Sequence, residues 1–145
     1  MTNYYSGIGS RETPEHILNI MHHIGAYLAN QGWTLRSGAA SGADASFEEG
    51  ANHEDGATEI YLPWEGFNFS KSPLHPKTYP FSDEEKAFAA QYHPNWKKCS
   101  PSARLLHQRN TRQLIGLEAI HGKEVIVSKF VVCWTEGGAL KGGTA

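Results

Sequence analysis

The spacing of apolar residues along this chain changes from segment to segment. Some segments have the spacing typical of strands and others that typical of helices. Residues 4–8 favour a first strand. Five apolar residues then recur at helical spacing and predict a first helix with one apolar face: Ile17, Leu18, Met21, Ile24 and Leu28. We predict that Thr13 is the N-cap of this helix, that Pro14 occupies its first position, and that the helix ends at Gly32.

The same alternation continues through the next thirty residues. Residues 33–36 predict a second strand, a helix follows Gly42 to about residue 52, and residues 58–62 predict a third strand that ends at Pro63. Strands that alternate with helices predict an α/β fold. We therefore expect a single Rossmann-like domain over residues 1–145, with a mainly parallel sheet flanked by helices. In such sheets ligands bind beyond the carboxyl ends of the strands.

The second half of the chain begins with an aromatic loop insertion at about residues 63–100, which we expect to pack over the sheet edge or the ligand mouth. Ser82 and Glu85 form a capping box that opens a helix to about residue 92. Ser100 and Pro101 open another helix, predicted to reach about residue 121. Residues 130–134 predict a central parallel strand, and we expect Cys133 to be inert in the core. A helix is expected after the glycine-rich turns that follow, and the sequence has too few residues there for one.

Composition limits the partners and the compartment. The chain has 145 residues and a net charge of −2, so no global basic field attracts nucleic acid. The two cysteines do not suggest a disulfide framework, which favours a cytoplasmic protein. The N-terminus has no signal-peptide character and no apolar run is long enough to span a bilayer, so we expect no membrane association.

The segment between the second strand and the second helix is the strongest candidate binding site. Its glycines let the backbone approach a ligand, its serines add hydroxyl donors, and the helix N-terminus favours an anion. These features predict a ligand-binding site, with phosphate on the turn, at Ser37, Gly38, Ala39, Ser41, Gly42 and Asp44. Asp44 either caps the helix or accepts a hydrogen bond from a ribose hydroxyl. The alternative is an ordinary tight turn between a strand and a capped helix.

A second turn of this kind follows the first strand and consists of Gly9, Ser10 and Arg11. Arg11 is suited to bidentate pairing with phosphate, and the alternative is an ion pair with a surface carboxylate. Trp64 follows the third strand and either stacks on a base or packs in the loop core.

Two further groups bear on chemistry. Asp44 and Glu48 lie one helical turn apart on the same face. They either bind ribose hydroxyls or act as acid and base on a glycosidic bond. The alternative is that they are acidic residues in the first turns of a helix, where the helix dipole stabilises negative charge. The histidines of the first helix have no cysteine or carboxylate at metal-ligand spacing, so we predict no metal site, and we expect no cofactor.

Four segments occur in the order seen in the Rossmann domain of the DNA-processing protein A (DprA/Smf) family, which the chain resembles over nearly its whole length. They are Gly9-Ser10-Arg11, Ser37-Gly38-Ala39-Ala40-Ser41-Gly42-Ala43-Asp44, Arg109-Asn110 and Gly142-Gly143-Thr144. The family has Ile where this chain has Ala43, and an R-N-R segment where Thr111 follows Asn110. It belongs to the SLOG superfamily, together with the LOG (lysine-decarboxylase-like) phosphoribohydrolases.

The resemblance implies a pocket that binds a nucleotide or a nucleotide-derived signal, which the chain would sense or sequester. Arg11 would lie in this pocket and Arg109 and Asn110 at its rim, although a solvated helix face is the alternative for these two. The final turns would complete the pocket with Thr135, Gly142, Gly143 and Thr144. The resemblance also implies a homodimer or a higher homo-oligomer.

Two other functions remain open. The first is N-glycoside hydrolysis of a nucleotide, as in the LOG group. Its catalytic glutamate has no counterpart after Thr144, so Asp44 or Glu48 would have to supply the carboxylate. The second is single-stranded DNA binding, which needs a basic groove with aromatic residues. It is not favoured by the net charge, and it would depend on Lys71, Lys77, Lys97, Lys98 and Arg104.

Overall fold

Four short parallel strands form the sheet in the computed structural model, which describes residues 2–140. They are β1 (Asn3–Gly7), β2 (Trp33–Ser37), β3 (Thr58–Ile60) and β4 (Val131–Val132). Their order across the sheet is β3-β2-β1-β4, and each neighbouring pair is parallel. The predicted α/β class with a parallel, Rossmann-like sheet is therefore confirmed.

The helices of the described region lie on both sides of this sheet. They are α1 (Glu15–Asn30), α2 (Ala43–His53), α3 (Asp83–Tyr92) and α4 (Pro101–Ile115). Helices α1 and α2 pack against each other and against the two middle strands. Helix α4 contacts the same strands, and α3 packs against α4.

The two faces of the sheet differ in chemistry, because neighbouring residues of a strand point to opposite faces. Tyr5 and Leu35 point toward α1 and α2, where they join Met21 and Phe47 in a buried apolar core. On the opposite face, Arg36 donates a 3.4 Å hydrogen bond to the carbonyl of Leu114 in α4.

The face beneath α4 holds a buried charged network. Arg36 is fully buried, and its Nε donates to Glu59 Oε1 at 2.9 Å. The hydroxyl of Tyr61 donates to the same oxygen at 2.5 Å, and His121 Nε2 lies 2.9 Å from Glu59 Oε2. The guanidinium also lies 4.1 Å from the ring centre of Tyr4. The pairing of Arg36 with Glu59 offsets part of the cost of burying these charges, while Arg36 Nη2 is buried with no hydrogen-bond partner among the described residues.

Helices α1 and α2 approach each other so closely that two glycines are required. A Cβ on Gly25 would lie 2.5 Å from the carbonyl oxygen of Phe47, and a Cβ on Gly50 would overlap the carbonyl oxygen of His22. Side chains at these positions would push α1 away from α2, which in turn would displace the start of α2 from the sheet.

Predicted helix boundaries were confirmed for α3 and corrected for two other helices. The capping box of Ser82 and Glu85 is present. Pro14, not Thr13, is the N-cap of α1, because the Thr13 hydroxyl instead donates to the carbonyl of Ser10 at 2.8 Å. Helix α4 ends at Ile115 rather than near residue 121, since Gly116 adopts a positive φ of 74° that ends the helix.

The prediction of a central last strand was wrong for the described residues. Strand β4 has only two residues and pairs with β1 alone, which places it at an edge of the described sheet. Val131 is 45% exposed, and Cys133 is exposed rather than buried in the core. An unbroken apolar run therefore does not distinguish a strand buried on both faces from an edge strand.

The loop after β3 packs against the end of that strand. The amide of Leu62 donates to the carbonyl of Leu74 at 2.9 Å, and a small buried cluster joins Tyr61, Leu74 and Leu117.

None of the helices in residues 2–140 combines the length and apolar character that crossing a membrane requires.

Candidate functional site

The turn after β1 lies directly on the N-terminus of α2. The Ser10 carbonyl accepts a hydrogen bond from the amide of Ala43 at 3.3 Å. A Cβ on Gly9 would lie 2.6 Å from the Cβ of Ala43, so only glycine allows this approach. The hydroxyl of Ser10 accepts from the amide of Glu12 at 3.0 Å. The structure thus brings together the two turns that the sequence placed at neighbouring strand ends.

The turn after β2 is built from residues with constrained backbones. Ala39 and Gly42 have positive φ values of 60° and 83°. A Cβ on Gly42 would lie 2.7 Å from the Ser10 carbonyl oxygen and 2.9 Å from the Cα of Arg11. Ser37 is fully buried, and its hydroxyl donates to the carbonyl of Gly7 at 2.6 Å. Ser37 therefore joins the ends of β1 and β2 and does not present a hydroxyl to solvent.

Asp44 lies beneath these turns and is only 3% exposed. Its Oδ2 accepts a hydrogen bond from the amide of Ala40 at 3.3 Å. Burial raises the pKa of Asp44 to about 6, against the lowering effect of Arg109 and of the amides of Ala40, Gly9 and Gly38. The carboxyl group thus uses amides that the sequence assigned to a bound phosphate.

Arg109 is also buried, with 4% of its surface exposed. Its Nη1 donates to the carbonyl of Gly38 and, at 3.2 Å, to that of Tyr61. Burial lowers its pKa to about 10, while Asp44 acts in the opposite direction. The guanidinium therefore supports the turn after β2 from below, which differs from the expected position at a pocket rim.

Asn110 completes this support. Its Oδ1 accepts from Arg109 Nε and from Gln113 Nε2, each at 3.1 Å. A Cβ on Gly38 would lie 2.6 Å from both Arg109 Nη1 and Gln113 Nε2. A side chain at Gly38 would therefore displace the ends of Arg109 and Gln113 where α4 meets the turn.

Three of the predicted binding residues remain at the surface. Arg11 and Ser41 are exposed, and Arg11 forms no ion pair with any residue in the described part of the chain. Trp64 is 38% exposed and packs edge-on against Phe67 at 5.2 Å. These side chains can meet a ligand at the carboxyl edge of the sheet without rearrangement of the core.

Glu48 lies further along α2 and is half-buried. Burial raises its pKa, and the nearby carboxylates of Asp44 and Glu49 raise it further.

Thr135 follows β4 and is also half-buried, at an edge where the amide of Ile8 donates to the carbonyl of Val132 at 3.1 Å. The predicted positions Gly142, Gly143 and Thr144 lie outside the described residues.

The structure adds two neighbours of the site that sequence reasoning missed. Asn68 Nδ2 donates to the carbonyl of Ala39 at 3.0 Å, and the ring of Phe67 lies 5.4 Å from the Arg109 guanidinium. The aromatic loop therefore holds the turn after β2 from outside. The aromatic content of the loop indicated packing over the sheet edge or the ligand mouth, but it did not indicate these partners.

The residues proposed for a DNA-binding groove are partly engaged elsewhere. Lys77 Nζ lies 3.2 Å from Glu65 Oε2. Arg104 Nη2 donates to the carbonyl of Trp96 at 3.1 Å, and its guanidinium lies 5.3 Å from the ring centre of that tryptophan. Lys71, Lys97 and Lys98 are exposed.

Comparisons with protein-family models, with curated proteins and with solved structures found no match to this chain. The resemblance to the DNA-processing protein A family therefore stays a prediction. It depends on the turn residues whose geometry is described above, and the assignment to a Rossmann-like α/β fold depends on the sheet itself.

Proposed function

We propose that this protein binds a small nucleotide or a nucleotide-derived signal at the carboxyl edge of its sheet, and that it senses or sequesters this ligand. The observation that carries the proposal is the position of Arg11. This exposed arginine has no carboxylate partner in residues 2–140, and it lies on a turn that contacts the first residues of α2.

A cation beside a helix N-terminus favours an anion for two reasons. The eleven-residue helix α2 contributes a partial positive charge at its start, and the guanidinium of Arg11 offers paired donors that match phosphate oxygens. The exposed hydroxyl of Ser41 adjoins the same helix start. A phosphate held by Arg11 and Ser41 would lie outside the turns, so it would leave the interior hydrogen bonds of Asp44 intact.

Asp44 and Arg109 then have a positioning role. They hold the turns from within, through the amide of Ala40 and the carbonyl of Gly38 respectively. A site whose backbone is fixed before binding loses less conformational freedom on binding. Trp64 provides an exposed indole for stacking on a base, which contributes roughly 1–3 kcal/mol where it occurs.

The test is a binding screen on the full chain by thermal shift. The ligands are mononucleotides, dinucleotides, cyclic dinucleotides, ADP-ribose derivatives and a short single-stranded oligonucleotide, with release of free base followed by chromatography. We expect one small nucleotide to raise the melting temperature with no release of base. A rise with the oligonucleotide alone, with steep salt dependence, would instead support DNA binding.

Arg11→Ala tests the phosphate position. We expect a loss of about 1.5–3 kcal/mol of nucleotide binding energy by calorimetry, the contribution of a charge-assisted hydrogen bond. Lys86→Ala is the matched control, because it also removes one exposed positive charge but lies on α3. Equal affinity of the wild-type and Arg11→Ala proteins would place the phosphate elsewhere.

One observation favours nucleotide N-glycoside hydrolysis as a second candidate function. The pKa values of Asp44 and Glu48 are both raised, as a general acid requires. Asp44 is buried under the turns, so Glu48 is the carboxyl group nearer to solvent. Release of free base in the screen, lost in Glu48→Gln, would establish this activity in place of sequestration.

A homodimer or higher homo-oligomer and a cytoplasmic location belong to the same proposal. Ile20 and Tyr27 are 53% and 63% exposed on α1, which gives that helix an apolar surface available for pairing. Light scattering coupled to size-exclusion chromatography measures the mass directly, and a monomer at all accessible concentrations would remove the oligomer from the proposal.

A further inference from the structure

Three metal-binding side chains meet at the connection between α3 and α4, away from the glycine-rich turns. His93 directly follows α3, Cys99 directly precedes the N-cap Ser100 of α4, and His107 lies on α4 itself. One ligand atom from each of the three residues lies within 4.8 Å of the others, and all three side chains are half-buried. We name His93, Cys99 and His107 the α3–α4 cluster.

The sulfur–nitrogen distances in this cluster are close to those between two ligands of one metal ion. Cys99 Sγ lies 3.7 Å from His93 Nδ1 and 3.8 Å from His93 Nε2. Sulfur and nitrogen bound to one tetrahedral zinc ion are roughly 3.6 Å apart, given bond lengths of about 2.3 and 2.0–2.1 Å. The rings of His93 and His107 lie 4.2 Å apart between centres. A small movement of the side chains would therefore place all three groups around one ion.

We propose that the α3–α4 cluster binds a zinc ion through His93, Cys99 and His107. A thiolate and two imidazoles are ligands that Zn²⁺ prefers, whereas Mg²⁺ and Ca²⁺ require oxygen ligands. The three side chains leave a fourth position for water. None of its ligands belongs to the glycine-rich turns, so zinc binding can be tested without a nucleotide.

The surrounding contacts hold the cluster in place. The amide of Asn95 donates to His93 Nδ1 at 3.1 Å, and Cys99 Sγ donates to the carbonyl of Asn95 at 3.5 Å. Arg104 fixes Trp96 through its carbonyl at 3.1 Å, and the indole lies 6.2 Å from the His93 ring. Binding of zinc at His93 Nδ1 would replace the hydrogen bond from Asn95, and zinc bound to Cys99 would replace the thiol proton.

A bound ion would join the end of α3 to the body of α4. Residues 93–100 between these helices contain only the single turn Trp96–Lys98, and α3 reaches the rest of the fold mainly through α4. His93 and Cys99 lie near the two ends of this connection and His107 lies on α4. An ion bound to all three would have a structural role, because it would hold the connection against α4.

The test uses Co²⁺ as a spectroscopic substitute for Zn²⁺ in the full chain, after treatment with a chelator and reductant. We expect one equivalent of Co²⁺ to give tetrahedral visible bands together with a thiolate-to-cobalt charge-transfer band, and one equivalent of Zn²⁺ to displace it. The chain has two cysteines, so Cys133→Ser is a matched control that should retain the charge-transfer band. Cys99→Ser should lose that band, and the Zn²⁺ affinity of this variant should fall by more than about 100-fold. Loss of a residue that only hydrogen-bonds to a metal ligand already lowers metal affinity by roughly 10- to 100-fold.

A second variant separates coordination from folding. His107→Gln should weaken Co²⁺ binding and leave the circular dichroism spectrum unchanged. Cys133→Ser should bind Co²⁺ as the wild-type protein does. Binding of Co²⁺ without a thiolate band, kept in Cys99→Ser, would overturn the proposal and point to the surface histidines His22, His23 and His53, whose rings lie near one another at 5.9 and 6.1 Å. No bound Co²⁺ or Zn²⁺ at one equivalent would overturn it as well.

Discussion

The two faces of the sheet bury their contents by different means. Toward α1 and α2 the strands present Tyr5 and Leu35 to an apolar core that also contains Met21 and Phe47. Toward α4 they present Arg36 and Glu59, a buried ion pair with further polar partners. Apolar packing tolerates exchange of one hydrophobic residue for another of similar volume, whereas a buried ion pair depends on every partner. We therefore expect the two faces to respond differently to substitution.

The largest expected effect is on the apolar face. Phe47→Ala should lower the free energy of unfolding by about 3–5 kcal/mol, because it removes a fully buried ring and leaves a cavity. Urea denaturation measures this change. Phe47→Leu is the control and should lose substantially less, and a similar loss in both variants would show that the ring shape, rather than its volume, matters.

The charged face should show a comparable loss that a second substitution reverses. Arg36→Met leaves the buried Glu59 carboxylate without its guanidinium, with Tyr61 and His121 still beside it, and we expect a loss of roughly 3–5 kcal/mol. The double variant Arg36→Met/Glu59→Met should be more stable than Arg36→Met alone, since no unpaired charge remains. Strictly additive losses in the double-mutant cycle would contradict the dependence between these partners.

Asp44 is an exception to this comparison, because it is a buried acid on the helix that covers the apolar face. Its folded-state pKa of about 6 lies above its ordinary value of 3.8, so the folded chain holds a proton more tightly than the unfolded chain. The resulting stability is fully present below pH 3.8 and is lost as the pH rises through 6. We expect this loss to be on the order of 2–3 kcal/mol.

Asp44→Asn measures that contribution. It keeps the shape and the acceptor for the Ala40 amide, so the fall in stability between about pH 4 and 7, recorded by thermal denaturation, should become shallower. Glu84→Gln at the exposed surface of α3 is the control and should leave the slope unchanged. An unaltered slope in Asp44→Asn would assign the pH dependence to other groups.

Patterns that depend on nearby residues were read correctly from the sequence. The alternation of strands and helices predicted the parallel sheet, and Ser82 with Glu85 predicted the start of α3. The end of α4 was missed because the pattern of apolar residues continued past Gly116, whose positive φ ends the helix. The edge position of β4 was missed because an apolar run carries no information about its neighbours in the sheet.

The candidate site was predicted in its turns but not in its support. Glycines and serines at strand ends indicated the turns around Gly9 and Gly42, because their backbone demands are local. The contact of Arg109 with the carbonyl of Gly38 joins residues 71 positions apart, and no local spacing signals it. His93, Cys99 and His107 were likewise missed, since only the packing of α3 on α4 brings them together.

Helix α4 carries one residue of each candidate site, and the two lie close along its length. His107 belongs to the α3–α4 cluster, and Arg109 supports the turn after β2. They are separated by about 3 Å of helix rise, so a displacement of this segment moves both. By thermodynamic linkage, any change that zinc makes in nucleotide affinity must be matched by an equal change that the nucleotide makes in zinc affinity. If both proposed ligands bind, a shift of α4 caused by one of them would change the affinity for the other.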